Sequence, residues 1–431
     1  MALAIPNNTI YYQCDSRVPL TRISFVFVGA GEQKENESLA GLSNLTARLL
    51  FAGTAKYSRN ELQKKFDLLG GHISAVATET DFIIRVSSFS RNLTEMMLLL
   101  KHLLDEAIFA ETEIELAKKQ EIQRINSSLQ NPEEVLRTAN KYVLYEGTRF
   151  GKLGSYLGIA NISRNTILEY FEKLKNSKIL FITAISDLSK EEIERHISPV
   201  ISNRNTDGYI LEPEVEYRSS LGREVFIVSS PDATNDRLLW THAGLPATDE
   251  RRFAAALIMD ALGSFEGFLF DELRNKKGWC YGVYANLFPP TTRKGRIGYY
   301  SDPSDITSRL LIPKLLELLQ TFSTNADFLF RLEECNSTFK NRFAYQQDMT
   351  YKINSEINRD RFGVPILTRD EYFEKMDSVT KSNAQQVIHG IFDIADLTMV
   401  FYGDTNRLTS IISALDNTIP VSIIDKTKLT A

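Results

Sequence analysis

The sequence predicts an α+β protein built as two halves of similar design, and three observations carry this. At 431 residues the chain is too long for one ordinary core and suits two domains of roughly 200 residues each. A strand-like run recurs in matching surroundings: KILFITAISD near the end of the first half and ADLTMVFYGD near the end of the second, each preceded by an amphipathic helical pattern and followed by another. Between the halves, SNRNTDGYILEPEVEYRSSLG is weakly patterned and rich in turn residues. The expected division is residues 1–205 and 223–431, joined by a linker over 206–222.

The elements follow in order. Arg22 to Val28, RISFVFV, reads as the first strong strand, followed by the polar turn GAGEQKENES. Gly41 to Thr54 reads as a buried helix with Leu42, Leu45, Leu49 and Leu50 at helical spacing, Ser38 as N-cap and Gly53 as C-cap. Its small residues Ala40, Gly41, Ser43 and Ala47 allow close approach, while Asn44 and Arg48, four apart, share a face. A helix over Ser58 to Leu69 ends at Gly70-Gly71, and His72 to Phe89 alternates as one long strand or two joined by a bulge. Helices are expected over Leu93–Ile108, Glu111–Leu129 and Pro132–Tyr145, then a glycine-rich loop, EGTRFGKLGSYLG, without phosphate-cradling spacing. A helix over Arg164–Leu174, the strand KILFITAIS and the helix KEEIERHIS complete the half. In the second half REVFIVSS, DRLLWTHAGLP, Tyr281–Phe288 and Gly295–Tyr300 read as strands, and Asp249–Leu262, Gly267–Arg274, Ile306–Phe322 and Asp327 to about Tyr351 as helices.

Composition narrows the function. With 50 basic and 55 acidic residues interspersed and a net charge of −5, no basic stripe points to nucleic acid or an anionic membrane, so protein or peptide partners are expected. No run reaches the ~18 apolar residues of a membrane span. The start, MALAIPNNTIYYQ, lacks the pattern of a secretion signal. Three distant cysteines, Cys14, Cys280 and Cys335, read as free thiols rather than a disulfide framework or a cysteine zinc site. Together these place the chain in the cytoplasm, with the periplasm as the alternative if a leader has been removed.

The five histidines, at positions 72, 102, 196, 242 and 389, have no partner at helical ligand spacing. A nucleophile elbow, a phosphate loop and a dinucleotide fingerprint are also absent from the sequence. Read by motif alone, the chain holds no self-contained catalytic centre.

The order of a strand, GAGEQKENESLAGLSNLTARLLFAGT, a polar helix, LLGGHISA and an alternating strand resembles the N-terminal half of the insulinase/pitrilysin family of zinc peptidases. The resemblance runs from about Arg22 to Leu408 and includes LPATDERR, where the family often has a G-x-P-x-x turn. It implies two homologous α/β-sandwich halves, mainly antiparallel sheet packed against helices, forming half of a clamshell. In that family the opening helix carries H-x-x-E-H, two zinc ligands and the glutamate that activates water. Superposed through the shared G-L, F-x-G-T and G-G landmarks, that motif falls on Asn44, Ala47 and Arg48. The third ligand, a glutamate in the long helix before an N-P turn, falls on Gln123 or Arg124. An amide or guanidinium does not replace a carboxylate on zinc, and Arg48 places a fixed positive charge there.

The second half keeps a counterpart. LFDELRNKKGWCYGVYANL is similar to the family's helix-turn-strand element, whose arginine and tyrosine, seven residues apart, reach the active site of the zinc-bearing half; Arg274 and Tyr281 have that spacing, with Gly278 for the turn. A guanidinium and a phenol can hydrogen-bond substrate carbonyls and a developing oxyanion. The loop LGSFEGFLFDELR lacks the long glycine-rich insert of the mitochondrial processing peptidase's non-catalytic subunit, so a bacterial-type two-chain peptidase fits better. The resemblance therefore implies a non-catalytic subunit of a heterodimer, with no cofactor of its own, zinc in an HxxEH-bearing partner, and peptides or unfolded polypeptide as substrate. Substrate strand addition belongs by analogy to the partner's sheet edge, the equivalent strand here being Ser74 to Val86. The alternative is a catalytically inactive scaffold resembling the core subunits of respiratory complexes; self-association of the isolated chain is left open.

Overall fold

The computed structural model describes residues 4–5, 8–145, 151–176, 181–202, 209–210, 222–288, 296–322, 331–345, 348–391 and 394–430. Apart from Tyr209, Ile210 and Gly222, the expected linker lies outside the described residues. Thirteen strands are present among them: β1 (Ala4–Ile5), β2 (Thr9–Cys14), β3 (Leu20–Val28), β4 (His72–Ala77), β5 (Asp81–Phe89), β6 (Phe181–Ser186), β7 (Tyr209–Ile210), β8 (Glu224–Ser229), β9 (Arg237–Ala243), β10 (Cys280–Phe288), β11 (Arg296–Pro303), β12 (Thr398–Gly403) and β13 (Val421–Ile424). One sheet has the order β2-β6-β3-β5-β4 and the other β13-β8-β12-β9-β11-β10, while β1 and β7 form a separate ribbon. With β13 set aside, the two orders match strand for strand. Directions match too: β2 and β6 are parallel like β8 and β12, and the remaining neighbours are antiparallel. The two α+β halves expected from the repeated strand pattern are thus two copies of one sheet plan.

Alternation along β3 shows how each sheet is used. Ile23, Phe25 and Phe27 face a core built with the helices of the first half, whereas Val26, on the opposite face, belongs to a smaller cluster with Tyr11, Phe181, Ile185, Ile353 and Ile357. Ile353 and Ile357 lie on the helix Met349–Phe362 of the second half. The reverse exchange is made by α5 (Pro132–Leu144), the fifth of the helices that begin with α1 (Leu42–Leu49), α2 (Arg59–Leu69), α3 (Leu93–Glu106) and α4 (Glu111–Gln130). Its Val135, Leu136, Ala139 and Val143 pack on Val228, Leu239, Val400 and Tyr402 of the second sheet. Asn131 starts α5 by accepting the Glu133 N–H at 3.0 Å, and Pro132 occupies the first turn, where no donor is needed. Each half therefore covers the far face of the other's sheet with one helix. Polar contacts border the crossing of Met349–Phe362 onto the first sheet: the Tyr11 hydroxyl donates to Asp360 at 3.0 Å and Gln13 to Glu356 at 3.0 Å.

Several local expectations change. His72 to Phe89 is a hairpin, not one strand or a bulge, because Thr78 makes a tight turn: its N–H donates to Asp81 O at 2.7 Å and its hydroxyl accepts the Asp81 N–H at 2.8 Å. The Gly31 backbone lies against that turn so closely that a Cβ would stand 2.4 Å from Thr78 O. Helix α1 stops at Leu49, so Gly53 is not its C-cap; Gly53 instead bridges to Ser58. Ser38 does not cap it either. The helix expected over Asp327 to Tyr351 is interrupted: Leu332–Tyr345 is one helix, and Asp348 caps a new one through the Tyr351 N–H at 2.7 Å. The glycine-rich loop holds the start of a short helix, Tyr156–Asn161, and β2 and β13 add strands that the sequence pattern did not reveal.

The run Arg252–Asn275 is apolar and long enough by composition to cross a membrane, but 67% of its most apolar stretch is buried. Its Ala255, Leu257, Ile258 and Leu262 belong to the core of the second half.

Candidate functional site

The N-terminus of α1 is held from a distance. Gly41, at φ +102, is its first flanking residue, and the Glu35 carboxylate accepts the N–H groups of Gly41 at 2.7 Å and Ser43 at 2.6 Å. A carboxylate is well placed there, facing the unpaired donors and the positive end of the helix dipole. One turn on, the Asn44 amide donates to the Glu32 carboxylate. Ala47 is buried with only a methyl group to offer. Arg48, partly exposed, places Nη2 at 3.1 Å from Glu121 Oε2 on α4. Glu121 is 3% exposed, and its other oxygen accepts from Arg124 Nε at 2.8 Å. Arg124 Nη2 also donates to the Leu153 carbonyl at 2.8 Å. Burial works against the Arg124 charge, but Glu121 outweighs it and holds the guanidinium above its usual range.

Thus the position where the resemblance expects a metal holds an Arg48–Glu121–Arg124 cluster. Gln123 is exposed, and Arg124 is the α4 residue that joins it. The side chains do not fit zinc. Asn44 and Ala47 offer an amide and a methyl, two guanidiniums bring fixed positive charge, and the one buried carboxylate is shared between them. Among the described residues no three His, Cys, Asp or Glu side chains converge as a metal would require. Glu121 was not singled out in the sequence; its spacing of three from Arg124 on a helix was the available signal.

In the second half, Arg274 lies in a π-helical turn, Asp271–Asn275. Gly278, at φ +66, reverses the chain, and the N–H of Trp279 bonds back to Leu273 O at 3.0 Å. The turn returns Tyr281 to Arg274: the guanidinium carbon stands 5.6 Å from the ring centroid, and Nη1 donates to Cys280 O at 3.0 Å. Both side chains are exposed, Tyr281 to 76%. Beneath them Cys280 is buried, which pushes its thiol up to about 12 and leaves it a neutral packing group. All three cysteines are free. Among the described residues no hydrogen bond, ion pair or ring contact joins Arg274 or Tyr281 to Asn44, Ala47, Arg48 or Gln123.

Tyr281 borders a cavity of about 550 Å³ between β10, β11 and the polar side of α5. Tyr284 and Tyr300 form part of its floor, and Arg137, Asn140 and Lys141 of α5 its opposite wall. Sequence reasoning missed this pocket. Its two walls are about 150 residues apart in the chain and meet only because α5 crosses to the other sheet.

Fold and site together describe a duplicated α+β protein, with an Arg48–Glu121–Arg124 cluster in one half and an arginine–tyrosine pair in the other. Residues 21–154 match the family model for insulinase (peptidase family M16), and residues 161–323 the model for the peptidase M16 inactive domain. The chain belongs to the peptidase M16 (insulinase) family. It is 22% identical over 257 residues to an uncharacterized zinc protease of Rickettsia felis, spanning 59% of this chain and 61% of that one, less than two thirds of its length. A second such protein, from Rickettsia bellii, is 21% identical over 382 residues, 87% of this chain and 90% of its own. Among solved structures, the peptidase M16 inactive domain from Pseudomonas fluorescens superposes with a TM-score of 0.76 at 16% identity, covering 93% of this chain and 98% of that chain. A chain of Complex III2 from Candida albicans gives 0.68 at 13% identity, covering 96% and 99%.

Proposed function

We propose that this chain is the non-catalytic subunit of a heterodimeric zinc peptidase, lending Arg274 and Tyr281 to a homologous partner that carries HxxEH. The contrast between the two sites supports the reading: an ion-pair cluster stands where the resemblance expects zinc ligands, while the arginine and tyrosine are adjacent and exposed. In such a partner, a zinc ion held by HxxEH would supply the activated water and polarise the scissile carbonyl. This chain's part is to donate hydrogen bonds. The Tyr281 hydroxyl and the Arg274 N–H groups not spent on Cys280 O hold the substrate backbone and stabilise charge as it develops on the carbonyl oxygen. Peptides or unfolded segments are the substrate, and residence in the cytoplasm, with the periplasm as the alternative, belongs to the same proposal.

A second reading is a scaffold without catalytic contribution, favoured by the fold shared with the Complex III2 chain. The exposure of Tyr281 weighs against it, since a scaffold gains nothing from an uncovered phenol beside a guanidinium. The deciding experiment mixes the purified chain with its co-purifying HxxEH relative and follows peptide hydrolysis. Activity that appears only in the mixture and falls in Arg274→Ala supports the subunit reading; activity indifferent to both Arg274→Ala and Tyr281→Phe leaves the scaffold.

A further inference from the structure

The pocket beside Tyr281 has a floor of defined chemistry. Along β10 and β11, Gly282, Tyr284 and Asn286 share a face with Asp302, Tyr300 and Gly298, to which the latter two of them pair directly. The missing side chain at Gly298, opposite Asn286, leaves open the space beside the two tyrosines. Their rings are nearly parallel, 16° apart with centroids at 6.4 Å. Leu136 and Leu239, both buried, close the apolar side. At about 550 Å³ the cavity falls within the roughly 300–1,000 Å³ typical of small-ligand pockets.

The charges around it are on the walls and are engaged. Arg137 donates to Glu133 at 2.6 Å, Lys141 pairs with Glu79, and Asp302 accepts the Gly282 N–H at 2.7 Å. Three cations line the cavity, Arg137, Lys141 and Arg296, against two carboxylates, Glu133 and Asp302. That balance disfavours a lysyl or arginyl guest, whereas tyrosine faces and leucine side chains suit a flat apolar group.

We infer that this cavity is a specificity pocket for an aromatic side chain of the peptide substrate, received against Tyr284 and Tyr300 while the neighbouring backbone passes Tyr281. The inference rests on the reading of Tyr281 as substrate-facing. It is tested by fluorescence anisotropy on the full chain, using labelled glycine–serine peptides with one central Phe, Ala or Lys. The Phe peptide binds about tenfold more tightly than the other two. Tyr284→Ala weakens that preference, and Asn286→Trp, which fills the cavity from an exposed position, abolishes it with the circular dichroism spectrum unchanged. Equal affinity for Phe and Ala, a preference for Lys, or a Phe preference that survives both variants overturns the assignment. Hydrolysis on mixing with the HxxEH relative is scored separately with the Ala peptide. A Phe preference without hydrolysis upholds the pocket and removes the peptidase role; hydrolysis without a Phe preference does the reverse.

Discussion

Arg48 on α1 and Glu121 on α4 form an ion pair of 3.1 Å where the resemblance to the family expects metal ligands. The carboxylate is almost wholly buried, and Arg124 supplies its hydrogen bonds. Glu121→Gln removes the charge that both guanidiniums share. Since each guanidinium is about two fifths exposed, water softens the loss, and the expected destabilisation is about 2 kcal/mol. Arg48→Leu costs less, because Arg124 still satisfies the acid. Urea denaturation of the two variants checks the order; equal stability to the parent in Glu121→Gln removes the structural role of the cluster.

Zinc content follows from the same chemistry. The purified chain is expected to hold well under one zinc per chain after dialysis against zinc-containing buffer. The triple variant Asn44→His, Ala47→Glu, Arg48→His is expected to stay without tight zinc, since Arg124 still occupies the Glu121 carboxylate. Stoichiometric zinc by plasma mass spectrometry in the parent chain contradicts this account of the site.

Catalysis in the reconstituted pair is the next measurement. Losing one donor to a developing oxyanion costs on the order of a hundredfold in kcat, so Tyr281→Phe should act mainly on kcat. Arg274→Ala should also raise KM, because it removes the cation packed on the Tyr281 ring. An effect on KM alone would make the pair a binding element only.

Much of this was legible in the sequence, and what was not has a physical reason. Alternation in RISFVFV and the recurrence of KILFITAISD in ADLTMVFYGD identified individual strands and the two similar halves, because period-two burial leaves a local mark, while the strand order within each sheet did not show in the sequence. The spacing of Arg274, Gly278 and Tyr281 likewise survives as a contact, since one tight turn determines it. Thr9–Cys14, TIYYQC, does not alternate between apolar and polar residues and so marks no face, and it is a strand because parallel pairing with β6 completes the sheet. The amphipathic face of α5 was visible, but a helix face does not name the sheet it will meet. Tyr300 acquires its surroundings only through such long-range packing, as Glu121 acquires Arg48.

The helix exchange predicts how the chain responds to cutting. A protease site placed within residues 206–222 should leave two fragments that co-elute in gel filtration, because α5 buries Val135 and Leu136 fully in the other half and each such side chain is worth about 1.5–3 kcal/mol. Val135→Asp with Leu136→Asp should separate them. Fragments of the parent sequence that elute apart rule the exchange out as the main bond between halves.

Asp81 gives a test by pH. Burial raises its carboxyl above the usual value of 3.8, with Arg361 opposing only in part from 3.9 Å. A raised acid binds its proton more tightly in the folded chain, so its contribution is complete below about pH 3.8 and is lost as pH rises through the folded value. The stability of the parent relative to Asp81→Asn should therefore fall as pH rises from about 4 in urea titrations. A rise instead reverses the assignment.

The reciprocal crossing of α5 and Met349–Phe362 also bears on movement. A joint inside this polypeptide would have to peel one helix from each sheet at the same moment, so the two lobes travel as a single shell. On the proposed pairing with an HxxEH-bearing relative, substrate would then enter by a parting between the two polypeptides, and the rate of entry would be a property of their association rather than of either one alone.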